Sequence, residues 1–300
     1  MSSVAGEWGR RDVTGRKPPV LGGGVVRLPA YPKAEATSFL PRAEVGYPMP
    51  STLSILLPAL NEARGVRSVI RGIPRHGLRR LGFAYDVYVL DGHSTDGTRS
   101  VARQMGAKVV VQSGNGKGAA VREFLPKIGT DATVLLDSDG TYPPEMIPQF
   151  VGALGNGIPV VLGSRFRGSK IDDGAMTPVN RLGNRLLSKF ASVLYGVPVS
   201  DVCSGMWAFQ TDCLRSLNLT AERFELEVDF FAECALRRIP IAEIPIPFQR
   251  RIGERKLRLR EGLRIAFALL KKRLRSPRAY IEGLRRDVEA PAAESADGGG

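Results

Sequence analysis

An α/β fold with a mostly parallel sheet flanked by helices follows from three features of this 300-residue sequence. Short apolar runs alternate with stretches of helical period between residues 53 and 162. The connections between them are short, as in a doubly wound sheet. Several runs also end on polar groups (Asn61-Glu62, Asp91, Asp137 and Asp139, with Lys117 in a glycine loop), which gathers them beyond the carboxyl ends of the strands. That edge is where open α/β sheets bind ligands.

Taken in order, residues 1–50 repeat Pro and Gly (Pro18-Pro19, Gly22-Gly23-Gly24) with little periodicity and read as a disordered tail. Leu53–Leu57 is a strand stopped by Pro58, and a helix follows over about Glu62 to Ile73. Tyr85–Leu90 is a second strand, closed by Asp91 and followed by a helix over about Thr95 to Met105. Ser94 or Thr95 can cap that helix and Asp96 can sit in its first turn. Lys108–Val111 is a third strand before a helix starting near Gly118. Thr133–Leu136 and Val160–Leu162 supply the fourth and fifth strands. The core region extends over 51–250, a basic stretch over 251–288 and an Ala/Gly/acidic tail over 289–300.

Composition excludes several classes. No stretch nears the ~18 apolar residues of a spanning helix, and no apolar h-region follows the N-terminal charges. Cys203, Cys213 and Cys234 lack any CxxC spacing, so they read as core residues of a reducing cytosol and predict neither a disulfide frame nor a zinc site. From Arg250 to Arg286 there are fourteen Lys or Arg against three acids, nearly the whole net charge of +13. Such a block fits anionic lipid or a phosphorylated ligand. Nucleic acid is the weakest fit, because no helix-turn-helix, finger or RNP-like motif accompanies the block, and no nucleic-acid partner is expected.

The chemistry concentrates in Val-Leu-Leu-Asp-Ser-Asp-Gly-Thr-Tyr-Pro-Pro-Glu, residues 134–145. A buried strand delivers Asp137 and Asp139 to its end, and Gly140 with Pro143-Pro144 opens a turn. Paired hard oxygens there suit Mg²⁺ or Mn²⁺ against a diphosphate. Asp91 can accept hydrogen bonds from a base or ribose. Gly114-Asn115-Gly116-Lys117-Gly118 lacks the Walker spacing, which argues against an ATPase.

Together these segments carry a resemblance. Pro58-Ala-Leu-Asn-Glu62, Leu90 to Thr98, Gly116-Lys-Gly-Ala119, Asp137-Ser-Asp139 and Gly163-Ser-Arg165 occur in the order found in GT-A (Rossmann-like) glycosyltransferases of family 2. Asp201 to Phe209 and Phe224-Glu-Leu-Glu-Val-Asp229 are similar to the polyprenyl- and dolichyl-phosphate sugar synthases, the dolichol-phosphate mannose synthase group. The resemblance covers about 52–256. It implies a nucleotide-sugar pocket from Pro58, Leu60, Glu62, Asp91, Lys117, Asp137 and Ser138, with Asp137 and Asp139 on a divalent ion. It implies catalytic roles for Asp139, Arg165 and Asp201, and acceptor contacts from Arg181, Arg185, Ser204, Arg250, Arg251, Arg255 and Lys256. The mannose synthases often carry Gln where Thr141 stands, and family members an aromatic where Leu60 stands.

The implied reaction moves a hexose from a UDP- or GDP-sugar to a polyprenyl or dolichyl phosphate, with inversion. An acceptor phosphate has its second pKa near ~6 and needs no strong base; a hydroxyl acceptor would need one, and Asp201 is the candidate. Past the basic loop, Leu259, Leu263, Ala266, Phe267, Leu270 and Leu274 recur at helical spacing among Arg and Lys. This C-terminal amphipathic helix suits peripheral contact with the inner face of the cell membrane from the cytoplasm. The alternatives are a soluble phosphorylated acceptor, as in glucosyl-3-phosphoglycerate synthases, and a nucleotide-sugar binding module without turnover.

Overall fold

The computed structural model describes residues 25–27, 50–168, 170–252 and 259–275. Arg255, Lys256, everything after 275 and most of the first 50 residues lie outside the described residues. The strands in chain order are β1 (Val25–Arg27), β2 (Thr52–Ala59), β3 (Ala84–Asp91), β4 (Lys108–Val111), β5 (Ala132–Leu136), β6 (Val160–Ser164), β7 (Met206–Gln210) and β8 (Ile241–Pro245). They form one sheet in the order β1-β8-β6-β7-β5-β2-β3-β4, in which β7 alone runs antiparallel to its neighbours.

The five predicted strands are present, and β1, β7 and β8 join them. β2 runs through Pro58 instead of stopping there. Beyond Leu56 it has no register partner on β5, so a residue without an N–H is tolerated against β3 alone.

The helices are α1 (Ala63–Gly72), α2 (Arg75–Arg80), α3 (Thr98–Gln104), α4 (Lys117–Phe124), α5 (Ile147–Gly155), α6 (Pro178–Tyr195), α7 (Thr211–Ser216), α8 (Leu226–Leu236) and α9 (Leu259–Arg275). They divide between two cores, one on each face of the sheet. One packs α1 and α5 around Phe150 and Leu57; the other packs α4, α6, α8 and α9 around Trp207, Phe209 and Phe230. Alternation of inward and outward side chains along each strand supplies both cores, which is why the central strands read as continuous apolar runs. Cys213 and Cys234 are buried in the second core and Cys203 is half-buried, all as free thiols.

Helix capping departs from the predicted scheme. Asp96 accepts from the backbone N–H groups of both Ala63 (3.0 Å) and Thr98 (3.0 Å), thereby capping α1 across the chain as well as α3. Ser94 instead accepts from Asn61 N–H (2.9 Å), and Asn61 Oδ1 accepts from Thr95 N–H (2.7 Å). The loops after β2 and β3 are thus tied together.

α9 docks on α6 and α8 through Ile265 and Leu269. Its Lys272 turns inward, donating to Asp229 (2.7 Å), Glu233 (2.8 Å) and the Asn218 carbonyl (2.6 Å).

Candidate active site at the carboxyl edge of the sheet

Because β2, β3 and β5 are parallel, their last residues meet at one edge. β7 arrives from the opposite direction, so its start lies against the end of β5, with Met206 opposite Leu136. The Asp137 N–H donates to the Gly205 carbonyl (3.1 Å), and a Cβ at 205 would run into the Asp137 carboxylate. Gly65 of α1 likewise abuts the Ser138 carbonyl, and the Ser138 hydroxyl donates to the Pro58 carbonyl (2.7 Å). The Asp-Ser-Asp turn is therefore clamped from three sides.

Each acid of that turn faces a cation. The Lys117 ammonium, at the start of α4, bridges Asp137 and Glu227 of α8. Burial works against the lysine charge, but the two carboxylates outweigh it and raise its pKa. The Arg251 guanidinium bridges Asp139 and Glu62. Asp139 divides its oxygens: Oδ1 accepts from Thr141 N–H (3.0 Å) and hydroxyl (2.6 Å), and Oδ2 faces Arg251. Burial and the neighbouring Asp137 raise its pKa, against Arg251 and Thr141, which favour the charged form. The Ile252 N–H donates to the Asp139 carbonyl (2.9 Å) and the Gln249 N–H to that of Thr141 (2.9 Å), pinning the basic loop over the turn.

A second ion pair lies beside the first. Arg165 donates from its backbone N–H, Nε and one terminal nitrogen to Asp201 at 2.6 to 2.9 Å, and also to the Cys203 carbonyl (3.1 Å). Its guanidinium packs against the rings of Tyr142, Phe166 and Phe248, and Asp201 has no solvent exposure. Asp201 thus acts as the anchor of Arg165 rather than as a free carboxylate. Ser204 is also fully buried, its carbonyl accepting from the Trp207 indole (2.7 Å), so its hydroxyl is not presented to solvent.

Asp91 is fully buried at the end of β3. One oxygen accepts from Ser94 N–H (3.1 Å), while Oδ1 has no partner. An orphaned buried acceptor is costly, and a donor N–H or hydroxyl of a bound ligand would satisfy it. Leu60 stands exposed beside it. Arg181 and Arg185 lie on the exposed side of α6, and Arg185 packs on the Phe166 ring (5.5 Å), which Arg165 also contacts (5.4 Å). Arg250 donates to the Asp173 carbonyl (2.8 Å) at the rim.

The donor set fits a hard divalent cation. Four carboxylates, Glu62, Asp137, Asp139 and Glu227, face two cations, Lys117 and Arg251, so the net negative charge of the cluster favours a further cation. Among the described residues no cluster of three or more His, Cys, Asp or Glu is arranged to hold a metal. Such an ion keeps several waters or substrate phosphates as ligands.

The Glycosyl transferase family 2 model matches residues 54–217, more than half of the chain and every strand of this edge. The chain belongs to glycosyl transferase family 2. Its sheet and helices are those of the GT-A fold. Glycosyltransferase AglJ of Haloferax volcanii is 39% identical over 202 residues, 67% of this chain and 64% of that protein. A dolichyl-phosphate hexose transferase of the same organism is 35% identical over 207 residues, 68% of this chain and 86% of that one. Among solved structures, glucosyl-3-phosphoglycerate synthase from Mycobacterium tuberculosis superposes with a TM-score of 0.63 at 28% identity, covering 84% of this chain and 88% of that one. That enzyme was crystallised with Mn²⁺, UDP and glucosyl-3-phosphoglycerate, and also with Mg²⁺ and UDP.

In this family 2 chain the structure brings together Glu62, Lys117, Asp137, Asp139 and Arg251, and separately Arg165 with Asp201. Glu227 and Tyr142 were not among the expected site residues, and Thr141, singled out only as the place where mannose synthases often carry Gln, donates to Asp139. Glu227 had a signal: an acid within the apolar run of α8 must be buried, and a buried carboxylate needs a cation. Tyr142, whose hydroxyl accepts from Gly205 N–H (2.8 Å), had none.

Proposed function

We propose that the chain is a metal-dependent, inverting hexosyltransferase that uses a UDP- or GDP-sugar and glycosylates a polyprenyl or dolichyl phosphate at the cytoplasmic face of the membrane. The observation that carries the acceptor class is the sealed Asp201. With both oxygens held by Arg165 and no exposure, it is a poor base for a hydroxyl. A phosphate monoester arrives already ionised at neutral pH and attacks without one. The relative named as a dolichyl-phosphate hexose transferase supports the same acceptor.

Asp137 and Asp139 would hold the ion, whose chemistry is Lewis-acid stabilisation of the leaving diphosphate. Asp91 accepts from the nucleoside through its unpartnered oxygen. Lys117 sits on Asp137 close to the diphosphate position. Arg251, a described cation of the basic loop, receives the acceptor phosphate, and Arg165 with its aromatic cage walls that side. In-line attack then inverts the anomeric centre. No described helix is long and apolar enough to cross a membrane; contact is peripheral, through α9.

A second reading is favoured by the solved neighbours: a soluble phosphorylated acceptor such as 3-phosphoglycerate. One experiment separates the two. The full chain is incubated with Mg²⁺ or Mn²⁺, radiolabelled UDP- and GDP-sugars, and either polyprenyl phosphate or 3-phosphoglycerate. Label extracted into organic solvent only with the lipid acceptor, and abolished by EDTA, is the expected result. Label only in the aqueous product favours the second reading, and none in either sinks both.

Gly205→Ala tests the clamp on Asp137. The added methyl must push the carboxylate aside. Mn²⁺ affinity by calorimetry is expected to fall about tenfold, equivalent to ~1.4 kcal/mol, with an unchanged circular dichroism spectrum. Wild-type affinity would show that Asp137 is not a ligand.

A further inference from the structure

Two neighbouring helices turn apolar rows to solvent. On α6 the row is Val179, Leu182, Leu186, Phe190 and Val193, from 40% to 77% exposed. On α9 it is Leu263, Phe267, Leu270 and Leu274, from 39% to 78% exposed. At 100° per residue, positions two apart lie almost on opposite sides of a helix. α6 buries Ser188, Ala191 and Tyr195, so Leu186, Phe190 and Val193 point directly away from the core. α9 buries Ile265 and Leu269, so Leu263 and Phe267 do the same.

The rows belong to one surface. Both helices pack on the same face of the sheet, and they are joined where the Tyr195 hydroxyl donates to the Leu269 carbonyl (2.8 Å) and Arg273 to that of Leu194 (3.2 Å). Scattered exposed apolar residues need no explanation, but two adjacent rows at helical spacing do. With Lys272 bolted onto Asp229 and Glu233, α9 presents its row without unpeeling.

Charge identifies the occupant. α6 carries Arg181, Arg185 and Lys189 and no acid. From Gly262 onward, besides the inward Lys272, α9 carries Arg264, Lys271, Arg273 and Arg275 and no acid. A second copy docked on this face would set cations against cations. An apolar centre with a cationic border is complementary to an anionic bilayer. An open cleft of about 580 Å³ beside Arg185 and Lys189, lined also by Ser192 and Pro198, borders the same face. Arg185 stacks on Phe166, which connects the face to the mouth of the site.

We propose that α6 and α9 together form a preformed bilayer-docking face, α6 being an equal half of it, selective for anionic lipid. The proposal rests on the lipid-acceptor reading for its purpose but not for its geometry. The test is flotation of the full chain with phosphatidylcholine vesicles with and without one quarter phosphatidylglycerol. Binding should be at least tenfold stronger with the anionic lipid. Leu186→Asp/Phe190→Asp on α6 should weaken it at least tenfold, as should Phe267→Asp/Leu270→Asp on α9. Thermal stability and transfer to water-soluble geranyl phosphate should stay as in wild type. Wild-type flotation of the α6 variant overturns the proposal. So does a wild-type dimer, seen by light scattering, that these variants split while no vesicle binding occurs. Flotation without sugar transfer to any polyprenyl phosphate leaves the docking face standing and removes the acceptor reading; transfer to geranyl phosphate without flotation does the reverse.

Discussion

Asp139→Asn is expected to lower sugar transfer at least ~10³-fold, with no recovery at high Mn²⁺. The side chain keeps its shape, and its remaining oxygen can still accept from Thr141, so the turn should stay folded. What changes is the oxygen that faces Arg251. Replacing it by an amide removes a negative charge and a hard ligand from the place where the donor's diphosphate would be balanced. Several kcal/mol of charge stabilisation in the transition state are at stake, and ~4 kcal/mol corresponds to about a thousandfold in rate. The reading requires nucleotide affinity in the absence of metal to change little, because Asp91 and the loops after β2 and β3 are untouched. Single-turnover transfer with and without EDTA is the measurement. A variant within tenfold of wild type, or a wild type indifferent to EDTA, would falsify the metal site.

The sheet edge was legible in the sequence because parallel strands buried on both faces leave continuous apolar runs, and because the polar residue ending each run has nowhere to go but the carboxyl edge. Asp91, Lys117, Asp137 and Asp139 were found that way. β7 was not, since Met206–Gln210 runs straight into the α7 turn without a separating loop signal. That omission hid the reason for Gly205, which is small because an antiparallel strand begins against Asp137.

Pairings across large sequence distances were equally hidden. Arg165 and Asp201 each read as a chemical group in its own right, and only the fold reveals that they satisfy each other. Local caps failed for the same reason: Asp96 serves Ala63, a residue 33 positions away. For α9 the periodicity was correct, but it could not distinguish a row that docks from one that faces out. The predicted Leu263, Leu270 and Leu274 face solvent, and Ile265 with Leu269, two positions off the row, makes the core contact.

Arg251→Ala is expected to separate two functions that wild type combines. This guanidinium holds Asp139 and Glu62 together. If Asp139 also holds a divalent ion, the two cations would compete for one carboxylate, and the arginine would be released toward an acceptor phosphate. Removing it takes the shared cation away from two largely buried carboxylates, which lowers stability by roughly 3 kcal/mol. The same loss relieves the competition, so Mn²⁺ should bind the variant at least ~10-fold more tightly without donor, a gain of ~1.4 kcal/mol. Added Mn²⁺ should then raise the melting temperature of the variant more than that of wild type, because a ligand stabilises the native state according to its own affinity. Transfer should nevertheless fall by ~10² or more through a raised KM for the acceptor, since the charge that receives the phosphate is gone. Equal Mn²⁺ affinity in the two proteins by calorimetry would show that Arg251 and the ion do not share Asp139. An unchanged acceptor KM would show that the basic loop acts through residues beyond 251. Both signs together, tighter metal and weaker acceptor, are the signature of one arginine passing from the metal site to the nucleophile.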